Sequence, residues 1–342
     1  MRNVLTVCPY CGCGCGLYLK IDGNTADGVV PSKEHPISRG QLCVKGWNAH
    51  PFIYNSQRLH EPLVRADRSG TYRETSWNEA YNFVTKRFKE IKEKYGSSSL
   101  GIIGSAKCTN EENFLLMKFA RSVLGTNNID NCVRLCHAPT LRGLNDSFGL
   151  GAMTNSINEV ENAEVILVIG SNTTEEHPMV GNRILKAVDH GAKLIVVDPR
   201  RTQIASMSCL HLRPKPGTDL VWINSLMRII IEENLADSDF ISKRTENFEV
   251  VKEIVKKFMP EYVESMTGLG LSDLRRMAIM YSHSRASMII YGMGITQHSN
   301  GTDTVQALAN LAMLTGNIGR ESSGIIPLLG QSNMQGACDM GV

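Results

Sequence analysis

Between residues 164 and 198, apolar runs alternate with turn residues at the spacing of a strand–helix–strand unit. Val165-Ile166-Leu167-Val168-Ile169 is continuously apolar, as expected of a parallel strand buried on both faces. Gly170 ends it, residues 178–190 carry a helical pattern, and residues 191–198 read as the next strand, closing on Asp198. This alternation predicts a doubly wound, Rossmann-like parallel sheet. Helical spacing also marks residues 219–233 and 302–314, helical patterns fill 238–282, and Met288-Ile289-Ile290-Tyr291 is another strand.

Upstream, Ser76-Trp77-Asn78-Glu79 and Thr109-Asn110-Glu111-Glu112 have the form of capping boxes, each opening a helix. The first helix carries Ala80, Phe83, Val84, Phe88 and Ile91 at helical spacing and stops at Gly96; the second ends near Gly125. A short strand is expected at 100–104. Residues 1–60 look irregular, with a short strand at 17–21, and 58–73 read as a polar connection. The expected organisation is a small domain over 1–60, a first α/β part with its connection over 61–135, and a Rossmann-like domain over 136–342.

Composition narrows the class. With 342 residues, 42% of them hydrophobic, the chain can fill a sizeable core. A net charge of +2 gives no electrostatic case for nucleic acid or an anionic membrane. No apolar run reaches bilayer length, so no membrane span is expected. The first Cys already stands at position 8, so no signal peptide is read ahead of it. Ten cysteines in a long chain of this kind point to metal ligation in a reducing cytosol rather than to a disulfide scaffold. A cytoplasmic location is therefore expected.

The cysteines are concentrated at the start. Cys8, Cys11 and Cys15 form C-x2-C-x3-C, and Cys43 is a distant fourth before Val44-Lys45-Gly46. Four thiolates around one centre suit a [4Fe–4S] cluster; zinc knuckles usually pair two C-x2-C units. Cys13 reads as a spare thiol within the loop. Further along, Cys136 and His137 are adjacent and Pro139 marks a helix start. A thiol there is expected to have a lowered pKa and to be a good soft-metal ligand, and the imidazole could shuttle a proton. An inert buried thiol is the blander reading of Cys136 taken alone. Cys108, Cys132, Cys209 and Cys338 are read as ordinary cysteines.

The loop after the first core strand, Gly170-Ser171-Asn172-Thr173-Thr174-Glu175-Glu176-His177-Pro178, lacks G-x-G-x-x-G, which disfavours NAD. Asp198 at a strand end could hold a ribose or base edge, or merely cap its turn, and Arg200 could pair a phosphate. Two amide-bearing loops of small residues, 292–297 and 330–336, suit a polar heterocycle at close range.

Together, Cys8-Pro9-Tyr10-Cys11, Cys43-Val44-Lys45-Gly46, Cys136-His137, Asp198-Pro199-Arg200, Gly294-Ile295-Thr296-Gln297 and the run from Gly330 to Gly341 resemble the molybdopterin oxidoreductases, in particular their formate dehydrogenase branch. The resemblance covers nearly the whole chain. It implies an enzyme taking formate to CO2, with a [4Fe–4S] cluster on Cys8, Cys11, Cys15 and Cys43. It implies a bis-molybdopterin guanine dinucleotide carrying molybdenum or tungsten, with Cys136 as the metal ligand and His137 as the adjacent proton acceptor. Lys45 would lie between cluster and pterin on the electron path. Asn172, Glu175, Asp198, Arg200, Gly217 and Asp219 would line one guanine dinucleotide arm. Lys107 would stand where the family often has Arg, and Met293, Gln297 and Gln331 near the pterins and metal.

The chain departs from the family in two places. Leu329 stands before Gly330-Gln331, where the family usually has an Arg that pairs the formate carboxylate. The chain also ends at Val342, about half the family's length, so a complementing C-terminal chain and an electron-transfer subunit are expected partners. Two alternatives follow: the same enzyme type acting on another small substrate, or a non-catalytic iron–sulfur relay or scaffold subunit.

Overall fold

The computed structural model describes residues 2–65 and 67–342. The N-terminal segment is more regular than its sequence suggests. Strands β1 (Arg2–Val7), β2 (Gly16–Asp22) and β3 (Thr25–Pro31) form an antiparallel sheet in that order. The expectation of irregular structure over 1–60 is corrected. Strand β1 is almost wholly exposed on both faces, so it lacks the apolar alternation that announces a half-buried strand. Two short pairs follow, β4 (Leu63–Val64) antiparallel to β5 (Arg73–Glu74) and β6 (Ile102–Ile103) parallel to β7 (Ile129–Asp130).

Of the two capping boxes, only the second is complete. The Thr109 hydroxyl accepts from Glu112 N–H while the Glu112 carboxylate accepts from Thr109 N–H, opening the helix Asn110–Lys118. That helix runs on as one π-helical stretch, Phe119–Leu124, and stops on Gly125 at φ 72°, where glycine carries no Cβ penalty. At the first box Ser76 caps Glu79 N–H, but the Glu79 carboxylate turns to Arg73 and Thr75 instead. The resulting helix, Trp77–Tyr95, buries none of its residues.

The centre of the molecule is a parallel sheet of β8 (Val165–Ile169), β9 (Lys193–Val197), β10 (Leu210–Leu212), β11 (Ser287–Tyr291) and β12 (Gly324–Pro327), in the order β10-β9-β8-β11-β12. Successive strand residues point to opposite faces. Val165, Leu167 and Ile169 pack against residues of the helices Asp219–Glu232, Leu271–Ser282 and Gly301–Leu314. Ile166 and Val168 pack against the helix Pro178–Asp189 and against Cys8, Cys13, Cys15 and Leu17 of the N-terminal domain. The same sheet face therefore carries both a crossover helix and the cysteine loop.

From β8 the chain winds outward through β9 to β10, and through β11 to β12 on the other side. Between β8 and β11 the winding reverses, the place where such sheets open a crevice beyond their carboxyl ends. Gly170 and Gly294 cross there. A Cβ on Gly170 would lie 2.9 Å from the Gly294 Cα, and Gly294 N–H donates to the Gly170 carbonyl at 3.1 Å.

Candidate functional site

The cysteine loop is tied at its base by Cys8 N–H donating to the Cys15 carbonyl at 2.8 Å. Cys8, Cys13 and Cys15 are buried; Cys11 and Cys43 are partly exposed. Burial raises the Cys8 thiol, and Cys11 and Cys43 add to it. Cys15 is pushed up to about 12 by burial, with Cys11, Cys8 and Cys43 adding. Thiols that oppose one another's ionisation in this way face a common space. Among the described residues no three His, Cys, Asp or Glu side chains converge on a single-ion site. A four-iron cluster instead places its thiolates on separate irons, which suits these residues. Cys13 takes a supporting place: its thiol hydrogen-bonds Cys11, lowering Cys11 to about 5, while Cys13 itself is raised by that bond and by burial.

Two lysines tie the cysteine domain to its surroundings. Lys107 Nζ donates to the carbonyls of Pro9 and Tyr10 at 2.9 and 2.6 Å. Lys45, from the short helix Val44–Trp47 that Cys43 precedes, donates to the carbonyls of Glu175 and Glu176 at 3.1 and 2.9 Å. Lys45 thus joins the cysteine domain to the loop after β8.

Cys136 ends the one-turn helix Val133–Cys136, and the helix Ala138–Phe148 begins two residues later with Pro139 in its first turn. The Thr296 hydroxyl donates to the Cys136 carbonyl at 2.6 Å. The expected lowering of the Cys136 pKa is corrected: burial pushes the thiol up to about 11, and the neighbouring Cys132 adds to that. One helix start does not offset desolvation of a thiolate. His137 is fully buried. Its Nδ1 lies 3.0 Å from Thr140 Oγ1, which lies 2.8 Å from the Tyr291 hydroxyl, while Nε2 has no hydrogen-bond partner. Burial lowers His137 to about 4, so it is neutral at physiological pH.

Met293 and Leu329 pack against the apolar cluster that contains Cys136. Gln331 Nε2 donates to Cys132 Sγ at 3.3 Å, leaving its Oε1 buried without a partner. Gln297 is exposed at the end of the helical turn Met293–Thr296.

A hollow of about 270 Å³ lies at the carboxyl ends of β8 and β9. Asn172, Asp198, Arg200, Gly217 and Asp219 all line it, together with Lys215 and His298. Glu176 rather than Glu175 lines this hollow, and Glu175 meets Lys45 through its carbonyl. Asp198 caps its turn, its Oδ1 accepting from Arg200 N–H at 2.8 Å, while it also lines the hollow. Burial raises the Asp219 carboxyl, and Asp198 adds to the rise, although Trp222 Nε1–H donates to Asp219 at 3.0 Å. A half-desolvated acid beside cationic Arg200 and Lys215 is suited to base N–H donors and to phosphate.

His177, Gly12, Thr140 and Tyr291 stand out only in the structure. His177 Nε2–H and Gly12 N–H both donate to the Leu329 carbonyl, at 2.7 and 3.0 Å. One carbonyl thereby ties the cysteine loop, the loop after β8 and the segment after β12. The only sequence sign was a histidine directly before Pro178, at a helix start.

Residues 58–342 match the family model described as Molybdopterin oxidoreductase, and residues 1–55 the one described as Molybdopterin oxidoreductase Fe4S4 domain. The F420-dependent formate dehydrogenase subunit alpha of Methanocaldococcus jannaschii is 49% identical over 340 residues, covering 99% of this chain and 50% of that protein. Formate dehydrogenase H of Escherichia coli is 43% identical over 346 residues, covering 100% and 48%. The chain therefore spans about half the length of the curated relatives it matches. Among solved structures, acetylene hydratase from Pelobacter acetylenicus superposes with a TM-score of 0.81 at 24% identity, over 94% of this chain and 44% of that one. That likeness speaks to the fold alone.

Proposed function

This chain belongs to the molybdopterin oxidoreductase family, and on that premise we propose that it carries the cluster and metal-ligating parts of a formate-oxidising catalytic subunit. The observation that carries the reading is the buried Cys136–His137 pair, packed beside Met293 and Leu329. The cysteine loop is anchored to the same segment through the Leu329 carbonyl. The family's cofactors are a [4Fe–4S] cluster and a molybdopterin with molybdenum or tungsten. When bound, the metal pterin supplies a two-electron sink and the cluster a one-electron outlet.

In this reading Cys8, Cys11, Cys15 and Cys43 hold the cluster, and Cys136 ligates the metal. Ligation overcomes the burial penalty that keeps the free thiol protonated. Asn172, Asp198, Arg200, Gly217 and Asp219 hold one guanine nucleotide arm. Lys45 fixes the interval between the cysteine domain and that arm by gripping two carbonyls at once. His137 acts as a base because burial keeps it neutral. With its proton on Nδ1, donated to Thr140 Oγ1, Nε2 carries the ring's lone pair, close to the Leu328 backbone. An imidazolium formed there is desolvated, so it passes its proton on rather than storing it.

Leu329 favours a second reading, in which the substrate is another small molecule. Its side chain packs on the Cys136 cluster and offers no donor to a carboxylate. A missing charged hydrogen bond costs about 1.5–3 kcal/mol. Reduction of a viologen dye by formate, assayed beside other small oxo-acids and oxyanions, separates the two readings. Efficient dye reduction with formate alone supports formate; turnover only with another substrate rejects it. Partner subunits for electron transfer and a cytoplasmic setting belong to the same proposal. Among the described residues no helix is long and apolar enough to cross a membrane.

A further inference from the structure

Arg183 has no part in the chemistry above, yet it is 2% exposed in the helix Pro178–Asp189, on the sheet face that carries the cysteine loop. Val180 and Ile184 of that helix share one core with Cys8, Cys13 and Cys15. Arg183 Nη2 donates to the Ile37 carbonyl at 2.8 Å and to Asn158 Oδ1 at 2.7 Å. Its nearest carboxylate, Glu161, stands 3.7 Å from Nε, and that Nε is buried without a hydrogen bond. Lys186 draws on the same Glu161 oxygen at 3.6 Å. A buried guanidinium so loosely paired carries a large desolvation penalty unless another negative charge lies near. Burial lowers Arg183 and the nearby Arg39 adds to that, while Glu161 acts against it most and Cys13 and Cys15 less.

We propose that Arg183 and Glu161 set the reduction potential of the [4Fe–4S] cluster, the arginine raising it and the glutamate lowering it. The proposal rests on the reading that Cys8, Cys11, Cys15 and Cys43 hold that cluster. Reduction adds one electron, and so one negative charge, to a centre already ringed by thiolates. A fixed cation beside it stabilises the reduced form, and a fixed anion opposes it. Burial weakens solvent screening of both effects. Arg183, which acts on Cys15 directly, makes the cluster a readier acceptor, and Glu161 offsets part of that effect.

The test is a redox titration followed by electron paramagnetic resonance on the intact, cluster-loaded protein, with iron content read first. Arg183→Met is expected to move the midpoint to more negative potential and Glu161→Gln to more positive potential, while Arg183→Lys stays near the parent value. Unchanged midpoints, or shifts of the same sign in Arg183→Met and Glu161→Gln, overturn the proposal. Should Arg183→Met lose its cluster by breaking the Ile37 contact, Glu161→Gln decides by itself. A parent protein without iron refutes the cluster assignment and this proposal with it; iron without opposed shifts refutes only the latter.

Discussion

The Nε2–H of His177 donates to the Leu329 carbonyl at 2.7 Å, across 152 residues of chain. Because a carbonyl only accepts, His177 must carry its proton on Nε2. Its Nδ1 is left buried and unpartnered. Gly12 shares that carbonyl, and a Cβ on Gly12 would lie 2.5 Å from its oxygen. Gly12→Ala should therefore push the cysteine loop off the Leu329 segment, at a cost of roughly 1–3 kcal/mol for the lost bond. The expected result is faster iron loss to a chelator and a lower denaturation midpoint. Parent-like iron retention would show that the contact holds nothing in place.

Cys136→Ala should abolish turnover of the assembled enzyme while leaving iron content unchanged. The thiol lies in an apolar cluster apart from the cysteine loop, so the two losses should not travel together. Undiminished turnover would remove Cys136 from the metal.

Leu329→Arg keeps the backbone carbonyl that His177 and Gly12 hold and replaces an apolar side chain beside Cys136 with a charged donor. If formate is the substrate, its KM should fall about tenfold or more, the equivalent of one charged hydrogen bond. An unaltered formate KM, with turnover of another substrate impaired, would favour the second reading.

In the proposed reading, Asp219 links nucleotide binding to pH. Burial holds its folded pKa above the unfolded value. Its contribution to stability is therefore complete below the unfolded pKa and declines as pH rises through the folded one. Asp219→Asn should raise the thermal midpoint of the cofactor-free chain at neutral pH and flatten that decline. It should also weaken binding of a guanine nucleotide about tenfold to a hundredfold through the lost charged acceptor. A midpoint lowered at neutral pH would contradict the assignment.

Sequence showed the sheet and hid much of the site's wiring. The β8 and β9 runs were legible because strands buried on both faces are continuously apolar. Strand β1 was not, since neither of its faces is buried. Cys8, Cys11, Cys15 and Cys43 announced themselves through spacing. His177 and Gly12 did not, because each acts on a carbonyl far away in sequence, and a backbone acceptor leaves no residue-type signal. The Cys136-His137 adjacency was legible while the ionisation of Cys136 was misjudged: local helix position is readable, but the depth of burial that raises its pKa belongs to the tertiary fold. At residues 83 and 84 helical spacing announced the helix but not its burial, since Phe83 and Val84 are exposed.

The most direct measurement is the iron, zinc, molybdenum, tungsten and pterin content of the protein purified from a host that makes the cofactor. The account predicts about four irons with about one molybdenum or tungsten and pterin. Zinc in place of iron, with neither pterin nor molybdenum or tungsten, would contradict it.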